Sequence, residues 1–257
     1  SPLTVLQIVN DDMPFLVDSV MMALAERGVG VHVMGHPVVR IARDRSGKLT
    51  AVGDGQVESM MHLEIDRQSA ADSAAIEAAI RTVLADVRSI VEDWPAMRQK
   101  MLDVTVDVGK RRMPVGDAGR KEAQEFLRWA ADDHFTFLGY REYRVRKEGK
   151  EEVLAADAGS GLGLLRGRES TKPRKLTTLA AHYMPQSGSV DALILTKTNA
   201  RATVHRPGYM DYIGVLSFDA DGRAIAEQRF IGLYTSSAYT RRPWEIPLVR
   251  ERHEYVM

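Results

Sequence analysis

The feature that most constrains the fold is a long apolar stripe in the first half of the chain. Its residues recur at spacings of four, three, four, three and four: Ile76, Ile80, Val83, Val87, Ile90 and Trp94. This spacing puts them on one face of an α-helix, which must be buried against another element. We expect packing against a sheet rather than a coiled coil, because three heptads are too few to require a supercoil. Ser69 and Asp72 suit the start of this helix and Pro95 its end.

A strand and a shorter helix precede the stripe. Residues 4–9, rich in Val, Leu and Ile, predict a short buried strand. Asp11 and Asp12, followed by Pro14, predict a capped helix start, and Gly28 predicts the helix end. The apolar positions of this helix are Leu16, Val17, Val20, Met21 and Leu24.

Two extended segments lie between the helices. Alternating valines predict a strand over residues 29–33, and extended structure continues to a turn at residues 44–47. Residues 61–65 alternate between apolar and polar side chains, which predicts a strand with one wet face in an antiparallel sheet. The order β-α-β-β-α matches a ferredoxin-like sandwich without its last strand. Residues 101–108 either supply that strand or continue a helix from Met97.

The second half predicts a mixed α/β domain, and its boundary lies in the Pro- and Gly-containing loop at residues 114–119. A short helix is expected between Glu122 and Asp132. Strands are expected over residues 135–145, 153–154, 193–196, 213–218 and 224–234. A helix followed by antiparallel hairpins is the order of a sensor-type sheet such as the PAS fold, an assignment by analogy. The expected class of the whole chain is therefore α+β.

The amino-acid composition excludes several classes of function. The 35 Lys and Arg balance the 35 Asp and Glu, so no global field attracts nucleic acid or an anionic membrane. The sequence has no cysteine, which excludes disulfides, thiolate catalysis and zinc sites built on sulfur. No apolar run approaches the ~20 residues that cross a bilayer, and no signal peptide is recognised, so we expect a cytoplasmic protein. The ends of the sequence lead us to expect a piece of a longer protein.

Motifs for catalysis or cofactors are weak. Residues 159–163, GSGLG, do not fit G-x-G-x-x-G, because Leu164 and Arg166 occupy the positions that need glycine, so we expect a flexible loop. His32 and His36 are four residues apart in an extended segment, roughly 13 Å, which is too far for one metal ion. No nucleophile–base pair or carboxylate pair can be assembled. We expect no catalytic residue, no metal and no cofactor in this segment.

One polar segment, residues 201–212, has side chains suited to binding a negatively charged ligand or partner. Its candidate residues for an anion or for a partner's acidic surface are Arg201, His205, Arg206 and Tyr209. The alternative is a structural loop in which the arginines pair with Asp211 or with carbonyl groups.

Six strings resemble the N-terminal region of the large bacterial NAD-dependent glutamate dehydrogenases. They are residues 9–20 (VNDDMPFLVDSV), 92–97 (EDWPAM), 131–140 (ADDHFTFLGY), 204–214 (VHRPGYMDYIG), 232–239 (GLYTSSAY) and 242–247 (RPWEIP). Together they span nearly the whole chain. Enzymes of that family oxidise glutamate to 2-oxoglutarate with NAD in a catalytic domain far downstream. Their N-terminal portion contains ACT-type and PAS-like modules and takes part in homo-oligomer assembly and allosteric control.

The resemblance implies a domain layout and a set of partners. It implies an ACT-like ferredoxin-like βαββα(β) domain over residues 1–112, a PAS-like domain over 120–240 and the start of a linker over 241–257. It implies NAD in the catalytic domain of the parent enzyme and none in this segment. The implied partners are other domains and subunits of the dehydrogenase, with a possible small amino-acid effector, no nucleic acid and no membrane.

The resemblance also implies an effector site. ACT modules bind amino acids where the first strand meets the first helix, often through a D-x-P-G-x-L pattern. The corresponding residues are Asn10, Asp12, Met13, Pro14 and Phe15. Asp12 and Pro14 match the pattern, but Phe15 replaces its glycine, and a bulky side chain there opposes the approach of a ligand. A purely structural oligomerisation module without a ligand is the alternative.

Overall fold

The computed structural model describes residues 2–110, 115–167, 174–175 and 193–250. The chain divides into two compact units. The first comprises residues 1–91 with residues 202–207, and the second comprises residues 92–201 with residues 208–257. Each unit contains an antiparallel sheet together with helices, so the expected α+β class is confirmed.

The first unit has five strands, one short helix and the start of a long helix. The elements are β1 (Thr4–Asp11), α1 (Leu16–Ala25), β2 (Val31–Gly35), β3 (Val38–Arg43), β4 (Leu49–Val52), β5 (Gln56–Ile65) and α2 (Ala70–Lys110), of which the residues up to Val91 belong here. The sheet order is β1-β5-β3-β4, and β2 also pairs with β5. All pairings are antiparallel. The sequence did not predict β4.

The core of the first unit lies between one face of this sheet and the two helices. Along β5, Met61, Leu63 and Ile65 are buried, whereas His62 and Glu64 on the opposite face are partly exposed. The predicted apolar stripes supply the helical side of the core, with Leu16, Val20, Leu24, Ile76, Ile80, Val83, Val87 and Ile90 all buried. The prediction of a sheet covered on one side is therefore confirmed.

The predicted start of α1 is wrong. Asp11 still belongs to β1 and pairs with Glu58, and the Asp12 N–H donates to the Val57 carbonyl at 3.0 Å. The helix begins only at Leu16, and its N-cap residue is Phe15, without a side-chain cap. Asp12 continues the sheet ladder instead of starting the helix, because its N–H is already paired with Val57. The predicted end is confirmed, since Gly28 has φ +68° in the turn that closes α1.

The predicted end of the long helix at Pro95 is also wrong, because α2 continues through Pro95 to Lys110. Proline removes one helical hydrogen bond. However, the apolar spacing resumes beyond it, and Met97, Met101, Val104 and Val108 are fully buried. Residues 101–108 are therefore helical and do not form the last strand of the sandwich.

The prediction of a buried first strand holds for only part of β1. Ile8 is buried, but Val5 and Val9 are 54% and 58% exposed. The physical reason is position, because β1 lies at an edge of the sheet and turns alternate side chains away from the helices.

The second unit begins with helix and continues with strands. Its elements after α2 are α3 (Asp117–Trp129), a π-helical turn (Ala130–His134), β6 (Phe135–Glu148), β7 (Glu151–Ala156), β8 (Leu162–Gly163), β9 (Arg174–Lys175), β10 (Leu193–Arg201), β11 (Tyr209–Phe218), β12 (Ala224–Tyr234), α4 (Ser236–Thr240) and a 3-10 turn (Pro243–Glu245). The sheet order is β10-β11-β12-β6-β7-β9, and β8 pairs with β6. The predicted hairpins β6–β7 and β11–β12 are confirmed.

Candidate functional site

The end of β1 and its connection to α1 hold the predicted effector residues. Phe15 has φ 72° and ψ −2°, the left-handed region, and its carbonyl accepts the Ser19 N–H at 3.0 Å. A non-glycine residue in this region costs about 1–2 kcal/mol. The backbone therefore keeps, at Phe15, the conformation that suits the glycine of the ACT pattern.

Arg88 of α2 contacts the end of β1. Its guanidinium lies 2.8 Å from Asp11 Oδ2 and donates a long hydrogen bond of 3.4 Å to Asn10 Oδ1. The ion pair is half-exposed and contributes about 1 kcal/mol or less. Arg88 was not among the residues predicted for this site. The sequence could have indicated Arg88 by its position, because this basic residue follows Leu84 by four positions and lies at the margin of the apolar stripe.

A segment from the other half of the sequence completes this part of the first unit. Ala202 and Val204 are fully buried. The Thr203 hydroxyl donates to Asp86 Oδ2 at 3.0 Å, and the His205 N–H donates to the hydroxyl of the buried Ser19 at 3.1 Å. Residues 202–207 are therefore anchored to both α1 and α2.

The ring of His205 packs against the ring of Phe15. The centroids are 4.9 Å apart and the planes are tilted by 48°. His205 also has a left-handed backbone, with φ 79°. Burial lowers the pKa of His205, as does the nearby positive charge of Arg206, whereas Asp18 acts in the opposite direction. The buried Nδ1 atom has no hydrogen-bond partner within the described part of the chain. The imidazole therefore favours its neutral form.

The structure brings together some predicted residues and separates others. Phe15 and His205, which came from two different candidate sites, lie in contact. His205 and Arg206 belong to the first unit, whereas Arg201 and Tyr209 belong to the second. Arg201 lies opposite Tyr209 in the β10–β11 pairing, with its guanidinium 5.6 Å from the ring centroid.

The acidic residue of that polar segment has a different partner from the one considered in its structural interpretation. Asp211 is buried and lies 2.6 Å from Lys197 Nζ. It also accepts the Tyr234 N–H at 3.2 Å. The positive charge beside Asp211 thus comes from Lys197, which was not among the predicted residues.

The glycine-rich residues 159–163 do not form a phosphate loop. Leu162 and Gly163 form β8 and pair with Tyr140 and Gly139 of β6, so the predicted flexible loop is partly a strand. Gly163 has φ 58°, and a Cβ atom there would clash with the Leu138 carbonyl. The Gly163 N–H donates to Asp93 Oδ2 at 2.8 Å. A carboxylate that occupies this donor repels a phosphate, so these residues do not fit a dinucleotide.

A polar cavity of about 360 Å³ lies in the second unit, beside Lys100, Glu142, Asp157 and Ser160. Lys100 Nζ lies 3.0 Å from Glu142 Oε1, which also accepts the Tyr140 hydroxyl at 2.7 Å. Burial raises the pKa of Glu142, but the hydrogen bonds from Tyr140 and Lys100 outweigh it and hold the pKa below its usual value. The carboxylate therefore stays ionised, and Lys100 compensates its charge.

The described residues hold no group of three or more His, Asp or Glu side chains arranged to bind a metal ion. None of the helices described is both long enough and apolar enough to span a membrane.

Residues 1–80 match the family model described as glutamate dehydrogenase, ACT1 domain. The chain is 35% identical to the NAD-specific glutamate dehydrogenase of Halomonas elongata and 36% identical to that of Pseudomonas aeruginosa, in each case over 99% of its length. The predicted relationship to the NAD-specific glutamate dehydrogenases is confirmed. The Mycobacterium tuberculosis enzyme is 26% identical over 96% of the chain.

The chain covers only a small part of these glutamate dehydrogenases. It spans 16% of the length of the Halomonas and Pseudomonas proteins and 15% of the Mycobacterium protein. The first unit, with its two helices on one face of an antiparallel sheet, is consistent with the ACT1 match.

Proposed function

We propose that this chain is a non-catalytic regulatory segment of an NAD-dependent glutamate dehydrogenase, and that its first unit senses an amino acid or a similar small effector. The main support is the ACT1 match over residues 1–80, together with the left-handed backbone at Phe15, the glycine position of the ACT pattern. The parent enzyme converts glutamate, NAD and water into 2-oxoglutarate, ammonium and NADH. NAD binds in its catalytic domain, outside this segment.

The proposed effector site is the end of β1 together with its connection to α1. The first turn of α1 has no side-chain cap, so its N–H groups can receive a carboxylate, and Arg88 adds a positive charge nearby. Asn10 and Asp12 offer oxygen atoms to an ammonium group. Because the Phe15 ring packs on His205 beside this connection, binding requires the ring to move.

The remaining parts of the proposal concern the rest of the parent enzyme. The second unit serves as a PAS-like sheet domain, supported by its helix followed by antiparallel hairpins. The partners of the segment are other domains and subunits of a cytoplasmic enzyme. Arg201 and Tyr209, which remain candidates for partner contact, are both exposed.

Titration calorimetry with a panel of amino acids tests the sensing proposal. We expect at least one saturable response, at least tenfold tighter binding in Phe15→Gly, and at least tenfold weaker binding in Arg88→Gln. The matched control is Arg81→Gln, which removes the same charge two turns earlier in α2 and leaves binding unchanged. If neither the natural chain nor Phe15→Gly responds to any amino acid while circular dichroism shows an intact fold, the sensing proposal is wrong.

The second candidate function is a structural oligomerisation module without a ligand. It is favoured by the Phe15 ring itself, which packs on His205 at the position where a ligand would approach. Deletion of the segment from the parent dehydrogenase is then expected to change the subunit count in light scattering. A deletion mutant with an unchanged subunit count and full activity would exclude this function.

A further inference from the structure

One edge of the first sheet is open. β1 pairs with β5 on one side, and within the described ranges no strand pairs with its other side. In a ferredoxin-like sandwich the last strand lies antiparallel to the first strand at this edge. Residues 101–108, the segment of this chain considered for that strand, are part of α2.

The backbone of β1 is directed for further pairing. The Asp12 N–H donates to the Val57 carbonyl, which continues the β1–β5 ladder. Because hydrogen-bonded pairs alternate along an antiparallel ladder, the even-numbered residues of β1 point their N–H and C=O groups at β5. Val5, Gln7 and Val9 therefore direct theirs outward, away from β5.

The side chains at this edge are apolar on both faces. Val5 and Val9, on the face away from the helices, are among the exposed hydrophobic residues, at 54% and 58%. On the helix side, a groove of about 440 Å³ lies between β1 and the first half of α2, lined by Leu6, Ile8, Ile76, Ile80 and Leu84 among others. An open edge with apolar side chains is a template for strand addition.

We propose that β1 of a second copy of this chain pairs with β1 across this edge, about a two-fold axis at Gln7. A two-fold pair of identical strands is antiparallel, as the last strand of the sandwich would be. With Gln7 opposite Gln7 of the second copy, Val5 lies opposite Val9 of the second copy and Val9 opposite Val5. The strand is thus self-complementary, and each exposed valine gains an apolar cross-strand partner.

In the same register, the second copy covers the groove between β1 and α2. Leu6 lies opposite Ile8 of the second copy, on the side of the helices. The margin of the groove carries one charge of each sign, because Glu77 and Arg81 form an exposed ion pair there. Two such margins related by a two-fold axis present opposite charges to each other. The opposite edge strand, β4, has only four residues, all exposed.

This chain has no cysteine, so an introduced thiol is the only one in it, which makes a direct test possible. In the proposed register, Gln7→Cys places two thiols on directly paired residues, whose Cα atoms lie about 5.5 Å apart, within disulfide range. Val5→Cys alone places them about 14 Å apart, too far for a bond. In a mixture of Val5→Cys and Val9→Cys chains, the thiol of one variant lies opposite the thiol of the other, within disulfide range. Val52→Cys on β4 is the exposed control.

The expected result under mild oxidation is a disulfide dimer for Gln7→Cys and for the Val5→Cys and Val9→Cys mixture. The single Val5→Cys and Val52→Cys chains are expected to react at least tenfold more slowly. A monomeric Gln7→Cys chain, or Val5→Cys reacting as fast as Gln7→Cys, would overturn the proposal. If a strand from elsewhere in the parent occupies the edge, the introduced thiols of two full-length Gln7→Cys chains form no disulfide with each other, which also overturns the proposal.

A second variant keeps the test independent of cysteine chemistry. Gln7→Pro removes an N–H that points outward, so the ladder with β5 survives while the new pairing loses a central donor. Sedimentation velocity is expected to show self-association at least tenfold weaker than in the natural chain, with an unchanged circular dichroism spectrum. Unaltered self-association would count against the proposal. The proposed pairing of β1 does not rest on effector binding, because calorimetry tests effector sensing in a separate experiment.

Discussion

Phe15 combines a bulky side chain with a backbone conformation that glycine adopts most easily. Its φ of 72° marks the start of α1, and its ring contacts His205 from a distant part of the sequence. The side chain therefore compensates for backbone strain through packing. The balance between backbone strain and side-chain packing can be measured by substituting Phe15.

Substitution of Phe15 by alanine and by glycine separates the two effects. Both variants lose the ring, but only alanine keeps a Cβ at positive φ. We expect Phe15→Gly to be more stable than Phe15→Ala by about 1 kcal/mol, or about 2–4 °C in the thermal midpoint for a chain of this size. Equal midpoints in thermal denaturation would show that the left-handed conformation is not strained in solution.

His205 predicts a pH dependence of stability. Burial lowers the pKa of its imidazole, so the unfolded chain, with a histidine pKa of about 6.5, binds the proton more readily than the folded chain. This contribution to stability is present above about pH 6.5 and is lost as the pH falls below it. His205→Asn, which tolerates the left-handed region, is expected to flatten the decline in unfolding free energy between about pH 7 and pH 5. Parallel pH profiles from urea unfolding would contradict this assignment.

At the same scale, sequence analysis could identify residue types but not their neighbours. Asp12, Pro14 and the replacement by Phe15 were all visible in the sequence. The contact of Phe15 with His205 was not, because 190 positions separate them and no local pattern encodes such a contact. Whether Asn10 to Phe15 bind a ligand stays a prediction.

Helices and strands were predictable where their apolar residues follow a single helical or strand spacing. The stripe from Ile76 to Ile90 and the alternation from Met61 to Ile65 both gave the observed helix and strand. Pro95 misled the prediction because burial on both sides of it outweighs one missing hydrogen bond. Exposed Val5 and Val9 misled it because apolar composition does not reveal which strand lies at a sheet edge.

The start of α2 offers a test at the level of one element. The Ser69 hydroxyl accepts the Asp72 N–H at 3.1 Å and donates to the Asp72 carboxylate at 2.6 Å. We expect Ser69→Ala to lower the free energy of unfolding by about 1 kcal/mol, because a helix donor loses its acceptor. Ser73→Ala, one turn later, is the control and should change stability little in urea unfolding. Equal losses in both variants would argue against a capping role for Ser69.

The two units are not two consecutive stretches of sequence. Residues 202–207 belong to the first unit although they follow β10 of the second. The sequence predicts a single boundary, near residues 114–119, because a local composition shift cannot reveal that a later segment packs back into the first unit. The domain boundaries 1–112 and 120–240 of this chain remain predictions.

This topology predicts the behaviour of a truncated chain. A protein that ends at Lys110 lacks Ala202 and Val204, which are fully buried in the first unit. We expect the loss of this burial to cost about 2 kcal/mol, so that the amides of β5 exchange with solvent roughly 30-fold faster. Val204→Ala in the complete chain should give an intermediate effect. Equal exchange rates in all three proteins would show that residues 202–207 do not support the first core.

Each unit also presents a hairpin tip folded around one aspartate. Asp44 Oδ1 accepts the N–H groups of Ser46 and Lys48, and Asp219 Oδ1 accepts those of Asp221 and Arg223. Arg45 and Ala220 stand exposed at these tips, in a chain without native thiols. Maleimide dyes attached at Arg45→Cys and Ala220→Cys would form a donor–acceptor pair with one fluorophore on each unit. Energy transfer between them converts any ligand-driven rearrangement of the segment into an optical signal, read in single molecules and in real time.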